Sequence, residues 1–321
     1  MMDRRRFMQQ SGAAALAAAF WSCASGHSAS WATELPQAVG GGSGLDRIGA
    51  TTVSFRSRFP STRDMNVGAD PGPPDLTLET AAEFFAGELG LHNVELWYLH
   101  FEEASIAYCE RIRSAAERVG SRIINIQAGV TNPSDTDPEV RAQGVEEARA
   151  WIDRAVALGS PRIRINTGGG EAPFDAERTA DSFRRMADYG RERGVVLLVE
   201  NHGGYSQEID HVVAILEAVD DSNCRALADY GNTPAGSTED RIAGLTKMFP
   251  YLAFVSAKGT GFDDQHAHTD YDIGALVRAT EASGFTGYYS IEMWPDEDSP
   301  PPADPVRAAL RLKDVILENI E

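Results

Sequence analysis

Three acidic residues end three apolar, β-rich stretches of this sequence. Glu200 closes residues 195–200, Asp229 closes 225–229 and Glu292 closes 287–292. A carboxylate at the end of a buried strand is costly unless a cation or hydrogen-bond donor meets it. Taken singly, each acid could pair with an Arg or Lys, or cap the next helix. Taken together, three acids at one end of a fold would repel one another, and a divalent cation among them removes that repulsion. All-oxygen coordination suits Mn²⁺ or Mg²⁺, and added imidazole moves the preference toward Mn²⁺, Co²⁺ or Zn²⁺. One divalent metal ion is therefore the expected cofactor. His202 stands two residues after Glu200. A free imidazole titrates near neutrality, which suits hydrogen bonding to a substrate hydroxyl or acid–base work.

The elements that must position these groups are legible. Apolar runs at residues 48–54, 93–98, 122–127, 162–166, 195–200, 225–229, 253–258 and 287–292 alternate with amphipathic helical stretches. Gly90, Gly120, Gly159, Gly194 and Gly284 stand shortly before five of the runs, as glycines that close helices do. Asp137-Pro138-Glu139 has the form of a helix start, with a capping Asp and Pro at the first position. Eight β-then-α units predict a single-domain α/β fold, the (β/α)8 TIM barrel, over residues 47–321. A doubly wound sheet is the alternative, but residues 48–55 lead into no glycine-rich phosphate loop. Gly168-Gly169-Gly170 lacks the GxGxxG form and reads as a tight turn.

In a barrel, catalytic side chains sit at the C-terminal ends of the strands. That rule brings Glu200, Asp229 and Glu292 to one mouth. It brings Glu95, Trp97 and His100, from the second run and just after it, to the same end. Asn232 and Trp294 follow the sixth and eighth runs closely. With Glu95, Trp97 and His100 they are the candidate substrate contacts. Aromatic faces at strand ends, here Trp97, Tyr98, Tyr230, Phe262 and Trp294, suit the C–H surface of a carbohydrate. The Pro-, Gly- and Asp-containing stretch 56–76 after the first run would overhang the mouth as a lid.

Composition narrows the partners. The chain has 321 residues, 42% hydrophobic and 24% charged, with a formal charge of −19. So acidic a chain does not suit phosphate contacts, which need Lys and Arg, so no nucleic-acid partner is expected. An anionic membrane surface is disfavoured for the same reason. The N-terminus carries Arg4-Arg5-Arg6-Phe7, then an Ala-rich stretch too short to span a bilayer, then Ser30-Trp31-Ala32. This has the layout of an export signal and resembles the twin-arginine (Tat) type. Residues 1–32 are read as that signal, 33–46 as a Gly/Ser-rich lead-in, and the location as periplasmic or secreted. Of three cysteines, Cys23 lies in the leader. Cys109 and Cys224 rule out a disulfide framework but leave one bridge open. A homo-oligomer is equally open.

Glu200-Asn201-His202-Gly203-Gly204, Asp229-Tyr230-Gly231-Asn232 and Ser290-Ile291-Glu292 carry a resemblance to the sugar phosphate isomerase/epimerase superfamily, the xylose isomerase-like barrels. The resemblance spans most of residues 47–320. It implies that Glu200, Asp229 and Glu292 bind one divalent metal, with the two Glu residues doubling as the acid–base pair. The family often has His-x-Lys-Asp at the seventh strand, where this chain has Ser256-Ala257-Lys258-Gly259. Lys258 matches the family Lys and joins the candidate catalytic residues. Ser256 stands in place of the metal-binding His, which leaves the fourth position to His266, His268 or water, with His268 preferred.

The expected chemistry is metal-assisted proton transfer next to a carbonyl, through an enediolate. Return of the proton to the same carbon gives epimerisation, return to the neighbouring carbon gives isomerisation, and loss of a β-substituent gives elimination. An exported protein without a phosphate loop points to an unphosphorylated sugar, keto-sugar, oxidised glycoside or polyol. Two rivals remain: a metal-free glycoside hydrolase using Glu200 and Glu292, and a non-catalytic sugar-binding barrel.

Overall fold

The computed structural model describes residues 44–65, 74–233, 236–294 and 302–320. The stretch read from sequence as an export signal (1–32) lies outside them, as does the lead-in up to residue 43. Eight parallel strands close into a barrel in sequence order. They are β1 (Ile48–Thr51), β2 (Asn93–Trp97), β3 (Arg122–Ala128), β4 (Arg162–Ile165), β5 (Val196–Glu200), β6 (Cys224–Asp229), β7 (Leu252–Gly259) and β8 (Tyr288–Met293). β8 pairs with β1 through Ile48↔Tyr289, Gly49↔Ser290 and Ala50↔Ile291, which closes the ring. Outside it run α1 (Leu78–Phe84), α2 (Ile106–Arg118), α3 (Pro138–Leu158), α4 (Ala176–Arg191), α5 (Ile209–Val219), α6 (Thr238–Thr246), α7 (Ile273–Glu281) and α8 (Pro305–Asn319).

Two hydrophobic sets hold this arrangement. Outward side chains such as Ile126, Ile163, Ile165, Leu197 and Val199 pack under the helices. Ile124, Val196, Leu198, Leu227, Phe254 and Tyr288 fill the bore. Strands buried on both faces read as near-continuous apolar runs, which is why the strands stood out in the sequence. β4 departs from that rule. Its Arg162-Ile163-Arg164-Ile165 alternation puts isoleucines under the helices and arginines inside the barrel.

Helix starts are set by side-chain caps. Asp137 accepts from Glu139 N–H at 2.9 Å and starts α3 as its sequence predicts. Asp175, Ser237, Asp272 and Asp304 cap α4, α6, α7 and α8. Such a cap is worth about 1 kcal/mol. The five glycines before strands all adopt left-handed φ. The first strand is shorter than the apolar run 48–54. The Thr51 side chain accepts from Val53 N–H and turns the chain into a 3-10 helix, Thr52–Arg58. The stretch expected as a lid begins buried, with Arg56 only 5% exposed and donating to the Met293 carbonyl. Residues 66–73 of that stretch lie outside the described residues. Cys109 and Cys224 are both free and buried.

The loops after β4 and β5 lock together at the mouth. Gly168 (φ 75°) and Gly204 (φ 74°) sit back to back, and the Gly168 carbonyl accepts from Tyr205 N–H at 2.9 Å. A Cβ on Gly204 would run into that carbonyl. Gly204→Ala is expected to cost about 1–3 kcal/mol from the backbone alone. Equilibrium denaturation should show the loss, and an unchanged midpoint would mean that the loop relaxes freely.

Candidate active site

Glu200 is the last residue of β5, Asp229 the last of β6, and Lys258 and Glu292 each the last but one of β7 and β8. All four side chains are buried, Asp229 completely. Register places Lys258 beside Glu292 and Asp229 beside Ser256. The Lys258 ammonium lies 3.2 Å from Glu292 Oε1 and 3.9 Å from Asp229 Oδ2. It also donates to Asn232 Oδ1 at 2.9 Å. Arg164, from β4, brings its Nε to 3.0 Å from Glu200 Oε2, an ion pair not aligned as a hydrogen bond. Gln127, from β3, donates to Glu292 Oε2 at 3.0 Å. Asp229 Oδ1 accepts from the backbone N–H groups of Gly231 and Asn232, both at 2.8 Å. The Asn232 amide also reaches Glu200 Oε1 at 3.3 Å. One asparagine thus touches Glu200, Asp229 and Lys258.

The two glutamates are driven apart electrically. Burial holds Glu200 above the ordinary carboxylate range, against the pull of Arg164. Burial also works on Glu292, but Lys258, Gln127 and Arg164 outweigh it and hold that carboxyl below its usual value. Burial, reinforced by the charges of Glu292 and Glu200, raises Asp229 to about 7 against the pull of Lys258. Lys258 stays charged because the three acids outweigh its desolvation. Burial and the Arg164 and Lys258 charges lower the His202 ring to about 4, so it is a neutral imidazole beside the cluster.

The donor chemistry fits a hard divalent ion. Asp229 Oδ2, Glu200 Oε2 and Ser256 Oγ are buried with no hydrogen-bond partner among the described residues. Two of these oxygens have ion-pair partners in Arg164 and Lys258, and buried oxygens short of hydrogen bonds are what a further cation would satisfy. Among the described residues no three His, Cys, Asp or Glu side chains close on one point. His268, the expected fourth ligand, has its Nδ1 3.0 Å from the Gly261 carbonyl and its ring edge-on to Tyr271. The contacts that hold it are thus with the β7–α7 loop and not with the three acids.

The remaining candidates divide by burial. Trp97 and Trp294 meet edge to face at 6.1 Å, and Arg56 stacks on Trp294 at 4.3 Å. They make an aromatic wall at the ends of β2 and β8. His100 is 1% exposed, stacked on Phe59, with its ring nitrogens 2.9 Å from the hydroxyls of Thr52 and Thr62. Both of its hydrogen-bonding positions are thus occupied within the fold. Glu95 is fully buried inside the barrel. Its Oε1 accepts from Asn125 at 2.7 Å and its Oε2 from Ser290 at 2.6 Å. Sequence reasoning missed Arg164 and Gln127. The period-2 alternation of β4 was the signal for Arg164, and Gln127 ends the third apolar run much as Glu200 ends the fifth.

Residues 84–315 match the family model described as the xylose isomerase-like TIM barrel. No curated protein matches in sequence. Similar solved structures include a D-allulose 3-epimerase from Methylomonas sp., at 14% identity and TM-score 0.65, covering 85% of this chain and 98% of that one. A 3-keto-D-glucoside 4-epimerase from E. coli aligns at 15% identity and TM-score 0.60, over 85% and 98% of the two chains. A xylose isomerase-like TIM barrel protein from Mycobacterium smegmatis in complex with magnesium aligns at 18% identity and TM-score 0.62, over 88% and 100%. At these identities the likeness to the solved structures is one of fold.

Glu95 gives a pH signature. Burial lifts its carboxyl to about 8, against an ordinary 4.5. The folded state therefore holds a proton that the unfolded state releases, and stability falls as pH rises from about 4.5 to about 8. Glu95→Gln keeps both hydrogen bonds and removes the titration. The variant should gain stability over wild type at pH 8–9 and not at pH 4, as read by chemical denaturation. Parallel pH curves for the two proteins would contradict the assignment.

Proposed function

The chain belongs to the xylose isomerase-like TIM barrels, and from that premise we propose that it is a sugar epimerase or isomerase acting by proton transfer next to a carbonyl. The observation that carries the reading is the opposed pair Glu292 and Glu200 in one buried cluster, one carboxyl held below its ordinary range by Lys258 and the other pushed above it by burial. Pairs of titratable groups pushed apart by their surroundings mark acid and base roles. Glu292 is the base that removes the proton from carbon. Glu200 is the acid that returns it, or that protonates a β-substituent if the substrate carries one to lose. Lys258 and Arg164 place positive charge where an enediolate oxygen develops negative charge. Asn232 fixes the spacing of Glu200, Asp229 and Lys258. The neutral His202 is suited to hold a substrate hydroxyl, and the wall of Trp97 and Trp294 suits the apolar face of a sugar ring.

A divalent metal belongs to this proposal. Glu200, Asp229 and Glu292 would hold it, with Ser256 as a neutral oxygen in place of imidazole, an all-oxygen set that favours Mg²⁺ or Mn²⁺ over Zn²⁺. When bound it would polarise the substrate carbonyl and acidify the adjacent C–H. The proposed substrate is a small unphosphorylated keto-sugar or oxidised glycoside. The N-terminal arginine motif supports export by the Tat route, into the periplasm or beyond.

Glu292→Gln should leave the fold intact and lower kcat by about 10²- to 10⁴-fold, the scale of a lost general base. Turnover of a ketohexose or 3-keto-glucoside, with metal content by elemental mass spectrometry, checks both parts. Wild-type turnover by the folded variant would remove Glu292 from the mechanism. Undiminished activity in metal-stripped protein would remove the ion.

A further inference from the structure

The opposite end of the barrel carries a charge cluster that the sugar site does not use. Arg122 and Tyr288 are the first residues of β3 and β8, Arg162 is the first of β4, and Arg225 is the second of β6. All therefore lie at the N-terminal end of the bore. Tyr288 belongs to the interior set, and the guanidinium carbons of Arg162 and Arg122 stand over its ring at 5.2 and 5.6 Å. Arg225 is in register with Leu198, another interior side chain, so it too faces the bore.

What these groups lack is acceptors. Arg122 is accounted for, since its Nε donates to Asn93 Oδ1 at 2.7 Å and its Nη2 reaches the Asp46 carbonyl at 3.4 Å. Arg162 is 6% exposed, and among the described residues its guanidinium has no hydrogen bond and no ion pair. Arg225 is 8% exposed and equally without them, and its Nε is fully shielded from solvent. Burial and the neighbouring Arg122 charge both work against the charged form of Arg162. A largely buried guanidinium with five donors and no protein acceptor is costly unless solvent or an anion at the mouth meets it, and stacking on a phenol supplies no hydrogen bond. In a chain of net charge −19, Arg47 and Arg164 have carboxylates close by, in Glu281 and Glu200, whereas Arg162 and Arg225 have none among the described residues.

We infer that the N-terminal mouth of the barrel is a binding site for a small tetrahedral oxoanion of the phosphate type, held by the Arg162 and Arg122 guanidiniums and the Tyr288 hydroxyl. Guanidinium forks match phosphate oxygens in pairs, which suits them to this ligand better than to a halide. The site is independent of the sugar reaction at the other end of the barrel, and its occupancy would act on stability rather than on turnover.

The test uses the full mature chain, titrated with inorganic phosphate at constant ionic strength set with chloride. Calorimetry should show one phosphate per chain, and the melting temperature should rise with phosphate but not with chloride. Arg162→Gln should weaken phosphate at least about tenfold, the scale of a lost charge-assisted pair. Tyr288→Phe, which removes only a hydroxyl, should weaken it less while leaving the fold unchanged by circular dichroism. A chain lacking residues 33–43 separates inorganic phosphate from a carboxylate of the lead-in. Unchanged phosphate affinity in that chain supports the proposal. Affinity that appears only after the truncation would show that the chain fills the site itself and would overturn it. So would no saturable phosphate binding by wild type, or equal binding by folded Arg162→Gln.

Discussion

Three carboxylates share the buried end of one barrel, and most of the site's arrangement follows from that single constraint. Like charges at such spacing in a medium of low dielectric cannot all ionise without counter-charge. Lys258 answers Glu292 and Asp229, Arg164 answers Glu200, and two backbone N–H groups answer one oxygen of Asp229. Asn232 then bridges the parts so that each carboxyl has a fixed orientation.

This balance explains why two glutamates from strands β5 and β8 behave differently. Both are desolvated, and only the company they keep separates them. Glu292 has an ammonium, an amide and a guanidinium working for its charge, whereas Glu200 has an off-axis guanidinium and a weaker pull from Lys258, set against burial and the charge of Glu292. The layer beneath continues the theme without adding charge. Glu95, burdened by desolvation, is met by Asn125 and Ser290 rather than by a cation. The aromatic wall and the interlocked glycine loops add shape to a site whose polarity is set by the strands.

Much of this was readable from the sequence, and the limits are physical. Eight apolar runs, five glycine helix ends and the Asp137-Pro138 start give the barrel, because period and capping are local properties. Glu200, Asp229 and Glu292 were legible because an acid closing an apolar run is conspicuous. Arg164 and Gln127 were not singled out, because their role depends on which face of a strand points into the bore, a matter of register between strands. His100 read as a mouth residue by position, yet Thr51 ends β1 early and folds a 3-10 turn over it, so its ring serves that turn. His268 was proposed to replace a missing imidazole, but its contacts lie with Phe262 and Tyr271 across the β7–α7 loop. The sequence carried no marker for those loop contacts.

The central claim is that this cluster moves a proton to and from carbon beside a carbonyl. The most direct measurement is solvent exchange followed by proton NMR, with a keto-sugar in deuterated water and metal-loaded protein. The account predicts loss of one C–H signal next to the carbonyl at a rate equal to or faster than turnover. It predicts that exchange stops in Glu292→Gln, the variant without the base. Turnover without deuterium incorporation, or undiminished exchange in that variant, would contradict it.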